Sequence, residues 1–82
     1  MENLVNVVQT VNYGKFVFKL DEVLAERKIS ISSFSRVTGI DYRALKRMTD
    51  KSVTRADLDS LARICFSLKC SLEEIIEYIP PK

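Results

Sequence analysis

The sequence contains no histidine and no tryptophan, and only two cysteines, two glycines and two prolines in 82 residues. Without histidine, the commonest general base and the commonest nitrogen ligand for zinc are missing. Cys65 and Cys70 have no third thiol to work with, which fits neither a zinc spacing nor the multi-bridge framework of small secreted domains. They are read as two reduced, structural thiols. No metal site, cofactor or catalytic cavity is expected, and an enzyme is not expected on the same grounds. No apolar run approaches the roughly 20 residues that cross a bilayer. The start, Met1-Glu2-Asn3, lacks the basic region and cleavage site of a secretory leader. The expectation is a soluble, cytoplasmic chain that does not engage membranes.

What is present is room for one small domain, with 46% hydrophobic and 29% charged residues, a balance typical of a folded chain. The net charge of +2 says little, but its distribution says more. Residues 36–55 hold six basic residues against two acidic ones, while the remainder holds seven against nine. A basic cluster on an otherwise acidic small domain is the electrostatic footprint of phosphate binding. A solvated helix face carrying scattered cations is the other reading of the same residues.

Residues 4–18 are β-prone. Leu4-Val5-Asn6-Val7-Val8-Gln9-Thr10-Val11 is followed by turn chemistry in Asn12-Tyr13-Gly14-Lys15 and by Phe16-Val17-Phe18, which predicts a β-hairpin. Leu4, Val8 and Val11 also fall at helical spacing. An isolated hairpin is marginal in water, so these strands must pack on helices or pair with a second chain. From Lys19 the signals are helical. Leu20, Val23 and Leu24 predict a first helix over about 19–28. A second, over about 32–38, is capped by Ser30 or Ser32, turns Phe34 and Val37 inward and ends at Gly39. A third, over about 42–49, is capped by Asp41 with Ala44, Leu45 and Met48 inward and Arg43, Lys46 and Arg47 outward. The longest helix follows, capped by Thr54 or Asp57, with Leu58, Leu61, Ala62, Ile64, Cys65 and Leu68 as its buried face. Ser71-Leu72-Glu73-Glu74 reads as a capping box opening a fifth helix, with Leu72, Ile75, Ile76 and Ile79 over the core until Pro80-Pro81 ends it.

Residues 30–48 thus form a helix-turn-helix pattern. Such a unit needs a small residue where the axes approach, a residue tolerant of positive φ in the turn, and apolar residues that fix the crossing. Ser35, Gly39 and the set Phe34, Val37, Ile40 and Leu45 meet these needs. With these residues in place, residues 19–79 resemble the lambda-repressor/Cro-like helix-turn-helix domains, also called the XRE family. The resemblance is carried by Leu20-Asp21-Glu22-Val23-Leu24, Ile29-Ser30-Ile31-Ser32-Ser33-Phe34-Ser35, Val37-Thr38-Gly39-Ile40-Asp41, Leu45, Leu58-Asp59-Ser60-Leu61-Ala62-Arg63-Ile64-Cys65 and Leu68-Lys69-Cys70-Ser71-Leu72-Glu73-Glu74-Ile75. The implied fold is mainly α: a five-helix lambda-repressor-like DNA-binding domain over 19–79. A β-strand or hairpin extension at 1–18, beyond the family's core, precedes it as a candidate dimerisation arm, with an interface through the fifth helix (Ile75, Ile76, Tyr78, Ile79) as the rival, and a tail follows at 80–82.

The resemblance implies a transcriptional regulator, a repressor by expectation, that binds double-stranded DNA as a homodimer. Its third helix would enter the major groove while the second crosses the phosphate backbone. The family's base-reading positions fall here on Tyr42, Arg43, Lys46 and Arg47. Arg43 is the preferred base contact, because a guanidinium pairs bidentately with guanine. Tyr42 can instead simply cover the turn. The family often has Gln after the second helix's cap, where this chain has Ile31, so Ser30, Ser32 and Ser33 would have to supply phosphate contacts. The loop after the third helix commonly reads Asn-Gly-Lys; here it is Asp50-Lys51-Ser52, and Lys51 with Arg55 would offset the added acid. The alternative is a protein-interaction module on the same fold, antitoxin-like or anti-repressor-like, or a regulator with its own protein partner.

Overall fold

The first regular element is β1 (Lys15–Phe18), whose Phe16 and Phe18 share one face of the strand: Phe18 is buried in the core, while Phe16 lies exposed beside Tyr78 on the partner strand. The computed structural model describes residues 3–9 and 11–82. Met1, Glu2 and Thr10, which belong to the expected extension, lie outside the described residues. Four helices follow: α1 (Leu20–Glu26), α2 (Ile31–Thr38), α3 (Tyr42–Thr49) and α4 (Leu58–Leu68). A single 3-10 turn (Leu72–Glu74) then leads into β2 (Ile76–Ile79). The mainly α, lambda-repressor-like architecture with an N-terminal strand is thus present.

Two expectations about its ends are corrected. β1 does not form a hairpin with the preceding run; residues 3–9 contain no strand. It pairs antiparallel with β2, Lys15 opposite Ile79 and Phe18 opposite Ile76, so the chain's two ends close on each other. Nor do residues 71–79 form the expected fifth α-helix. Glu74 bends back so that its carboxylate accepts from the Ser71 N–H at 2.8 Å and from the Ser71 hydroxyl at 3.1 Å. This opens only one turn, because β-branched Ile75, Ile76 and Ile79 favour the extended chain that β1 can pair with. Gly14 permits the closure. It takes φ 85°, and a Cβ there would stand 2.5 Å from the Ile79 carbonyl oxygen. Beside it the Tyr78 hydroxyl donates to the Tyr13 carbonyl at 2.7 Å, and the Phe16 and Tyr78 rings lie 5.4 Å apart.

The core is assembled from one or two residues of every helix, among them Leu20, Phe34, Leu45 and Ile64, with Phe18 and Ile75 closing it from the strand end. α3 packs on α2 and α1, and α4 packs on α2. Several expected core positions are outside. Leu58 and Ala62 are exposed on α4, because its buried face centres on Ile64 and Leu68. Val37 is 71% exposed, so it takes no part in fixing the α2–α3 crossing. Leu72 and Ile79 are also exposed, one at the start of the 3-10 turn and the other at the outer end of β2.

Candidate nucleic-acid interface

The geometry of α2 and α3 is set by caps at both ends. Ser30 takes extended backbone angles and its hydroxyl accepts the Ser33 N–H at 3.1 Å, which decides between the two candidate serines. Gly39 ends α2 in the left-handed region at φ 76° and returns its N–H to the Ser35 carbonyl at 2.9 Å. Asp41 then starts α3 by accepting the Arg43 N–H at 3.0 Å. Two hydroxyls that periodicity does not single out hold the turn between. Ser35 donates to the Ile40 carbonyl at 2.6 Å, while Thr38 donates to the Phe34 carbonyl at 2.8 Å and accepts from the Ile40 N–H at 3.2 Å.

A third brace comes from α4. Arg63 donates through Nη1 to the Thr38 carbonyl at 3.1 Å, and through Nε to Asp59 at 2.9 Å. It therefore satisfies one of the carbonyls that the end of α2 leaves open. The spacing of Asp59 and Arg63 is that of a helix surface pair, which sequence shows; the reach to α2 is not visible there. Asp57, the observed cap of α4, accepts the Ser60 N–H at 3.2 Å, and that interaction with Ser60 holds the Asp57 carboxyl below its ordinary value.

On this frame α3 turns Leu45 and Met48 inward and leaves Tyr42 exposed at its start and Arg43, Lys46 and Arg47 exposed on the opposite side. Arg43 and Arg47 enter no ion pair among the described residues. Lys46 lies 3.5 Å from Asp50, but both side chains are about half exposed, so water screens the pair and a phosphate can displace it. Arg55 is exposed in the loop before α4, where it lines a shallow groove together with Arg47. Ser32 is exposed and Ser33 half-buried in the first turn of α2, and Arg36 reaches back to the Ser33 hydroxyl at 3.2 Å.

Lys51 is placed differently from the expectation. Its backbone adopts φ 61°, the left-handed conformation for which glycine is suited. Its ammonium is turned away to other partners: the Phe18 carbonyl at 3.1 Å and Asp21 at 2.9 Å. The Lys51 hydrogen bond holds the Asp21 carboxyl below the ordinary carboxylate range. These bonds tie the loop after α3 to the strand end, at the place where a glycine would have no side chain to contribute. Arg43, Lys46 and Arg47 thus lie exposed on α3, and Arg55 joins Arg47 at the neighbouring groove.

Residues 19–81 match the family model of the Cro/C1-type helix-turn-helix DNA-binding domain. The chain belongs to this family. This helix-turn-helix chain is also 31% identical over 62 residues to YozG of Bacillus subtilis (strain 168), described as an uncharacterized HTH-type transcriptional regulator; the match spans 76% of this chain and 74% of that protein. Its fold is similar to that of the transcriptional regulator VanUg, with a TM-score of 0.69 and 21% identity over 99% of this chain and 100% of the other. Among the described residues no helix is long and apolar enough to cross a membrane.

Proposed function

We propose that this Cro/C1-type domain is a sequence-specific transcriptional regulator, acting as a repressor, that binds a palindromic operator as a homodimer with α3 in the major groove. The observation that carries the reading is the division of α3: Leu45 and Met48 are locked into the core, while Arg43, Lys46 and Arg47 project together from the opposite face. A helix held rigidly by its apolar side presents its basic side in a fixed orientation, which base reading in a groove requires. Arg43 is assigned to a base edge. Lys46, Arg47 and Arg55 are assigned to phosphates or neighbouring bases, and Tyr42 borders the same surface. The start of α2, with Ser30, Ser32 and Ser33, lies against the backbone, where exposed N–H groups and Ser32 meet phosphate. Ser30 is already occupied as a cap, and Lys51 is occupied by Asp21 and Phe18, so neither is assigned a primary role on DNA.

A single recognition helix offers a small contact area, and two half-sites about one helical turn apart raise both affinity and specificity. The exposed aliphatic residues before β1 are the proposed source of the second protomer's contact, through pairing at the sheet edge. The rival interface through Ile75, Ile76, Tyr78 and Ile79 is weaker, because residues 76–79 form β2 in place of a helix and Ile75 is fully buried within the protomer.

The test is fluorescence anisotropy with a mixed-sequence duplex across a salt series, comparing the native chain with R43A/K46A/R47A. Affinity is expected to fall steeply with salt in the native chain. The log–log slope should flatten by about 0.9 for each phosphate that the variant no longer neutralises. A native chain that binds no duplex even at low salt sinks the DNA-reading assignment and turns the search to a protein ligand for the same fold.

A further inference from the structure

The end of α4 places the two cysteines as a pair. Lys69 takes the left-handed conformation (φ 54°, ψ 49°). Two hydrogen bonds close the turn around it: the Lys69 N–H donates to the Phe66 carbonyl at 3.3 Å, and the Cys70 N–H donates to the Cys65 carbonyl at 3.1 Å. In this Schellman arrangement the residue that begins the last helical turn and the one just beyond the left-handed residue come side by side, and an apolar contact usually joins them. Here both places hold a thiol. Burial, then the neighbouring Cys65 thiol, then the Glu74 carboxylate push the Cys70 thiol up. Both cysteines are half-buried. They border an open depression shared with Val37, Arg63, Phe66 and Lys69, so small molecules in solution reach them.

We infer that Cys65 and Cys70 form a reversible dithiol–disulfide site that exchanges with low-molecular-weight disulfides. A disulfide demands that the two backbones be close and the two Cβ atoms converge, and the hydrogen bond from Cys70 to Cys65 meets the first demand before any bond forms. In the first step one thiol loses its proton to solvent and attacks the small disulfide R–S–S–R. A mixed disulfide forms, and R–S⁻ leaves to take up a proton. In the second step the other thiolate attacks the protein sulfur of that mixed disulfide, forming the Cys65–Cys70 bond and releasing the second R–SH. The protein's two thiols give up two electrons and two protons, and the small disulfide takes up both. The bridge would tie the end of α4 to the segment that supplies Ser71, buried Ile75 and β2. Its attachment to the rest of the fold includes the hydrogen bond from the Lys19 N–H to the Ile75 carbonyl at 2.7 Å.

The experiment incubates the native, folded chain in glutathione buffers of increasing oxidised-to-reduced ratio, quenches it with acid and maps the products by mass spectrometry. The expected major product is a monomer that has lost two hydrogens, with Cys65 and Cys70 in one bridged peptide. C65S and C70S should each stop at a single glutathione adduct. The bridged chain should melt about 5 °C higher than the reduced one and return to the reduced value with dithiothreitol. Native chain that ends instead with glutathione on both cysteines, or as disulfide-linked dimers, would overturn the inference. So would a bridged chain that melts lower, because the turn would then have to distort to close. Peptide mapping of the native chain decides the matter even if a serine variant fails to fold.

Discussion

In the helix-turn-helix unit Phe34 and Leu45 are 2% and 0% exposed, whereas Val8 and Val11, before the first strand, are 94% and 100% exposed. The two regions draw on the same class of side chain, and the second is the richer in it. They differ in backbone satisfaction. In α2 and α3 each end has a partner: the Ser30 and Asp41 caps at their starts, the Gly39 turn and the reach of Arg63 to Thr38 at the end of α2, and the Ser52 N–H on the Arg47 carbonyl at the end of α3. Side chains on such a frame have one direction to point. Within residues 3–9 the Val8 N–H finds its acceptor locally, at Asn6 Oδ1, 2.9 Å away. Burial of an aliphatic residue follows from a frame that aims it, and hydrophobicity alone does not supply one.

The sharpest break in this comparison is removal of residues 1–11, which keeps Tyr13 and Gly14 at their closure with β2. Light scattering is expected to show the mass falling from dimer to monomer. Thermal stability should change by less than about 0.5 kcal/mol, since the aliphatic residues removed are exposed in the protomer. A truncated chain that remains dimeric would remove this segment from the interface. The next effect in size comes from the opposite region. L45A should cost about 3 kcal/mol in urea unfolding, the usual penalty for a fully buried leucine, while V8A should stay within about 0.5 kcal/mol. Equal effects at the two positions would show that residues 3–9 have a packing partner within the protomer.

Much of this division can be read from the residues. The α2 and α3 limits, the caps at Ser30 and Asp41, the turn at Gly39 and the basic face of α3 each rest on a local rule, and each local rule agrees with its neighbours. The strand end is less legible because its outcome depends on a partner at the far end of the chain, Ile79 opposite Lys15 and Ile76 opposite Phe18. A run such as Ile75-Ile76-Glu77-Tyr78-Ile79 suits a helix or a strand by pattern, and only the presence of β1 alongside decides. Val37 and Leu58 mislead for a related reason. Each sits at the margin of its helix's apolar arc, where whether it is buried depends on what packs opposite, and periodicity carries no information about that. The roles of Arg63 and Lys51 are hidden in the same way, since both bond to carbonyls far away in sequence.

A smaller effect probes the turn itself. G39A places a Cβ 3.0 Å from Arg63 Nη1 and asks alanine to hold φ 76°. It should cost about 1–2 kcal/mol, the penalty for a side chain in the left-handed region. The measure is the urea midpoint at constant slope. An unchanged midpoint would mean that the α2–α3 turn has a second conformation of nearly equal energy, and the contrast between a fixed unit and an unframed segment would weaken.

The smallest expected effect is acid sensitivity, and it falls unevenly over the fold. Asp21, Asp57 and Glu74 are each held below their ordinary values of 3.8 for aspartate and 4.5 for glutamate: by the Lys51 hydrogen bond, by Ser60 and by the Ser71 N–H, respectively. A carboxyl with a depressed folded-state value binds protons less readily when folded than when unfolded. Its contribution is complete above the ordinary value and fades as pH drops through the folded one. The melting temperature should therefore fall between about pH 5 and pH 3, with the start of α4, the turn after it and the Lys51 loop weakening together. The cap of α2 is the Ser30 hydroxyl, which carries no charge to lose in this range. Asn keeps an acceptor at position 57 without a titrating proton, so D57N should melt with a shallower pH dependence than the native chain. Amide exchange at pH 3.5 should then show Ser60 losing protection before Ser33; the reverse order would place the acid-sensitive step in the helix-turn-helix unit.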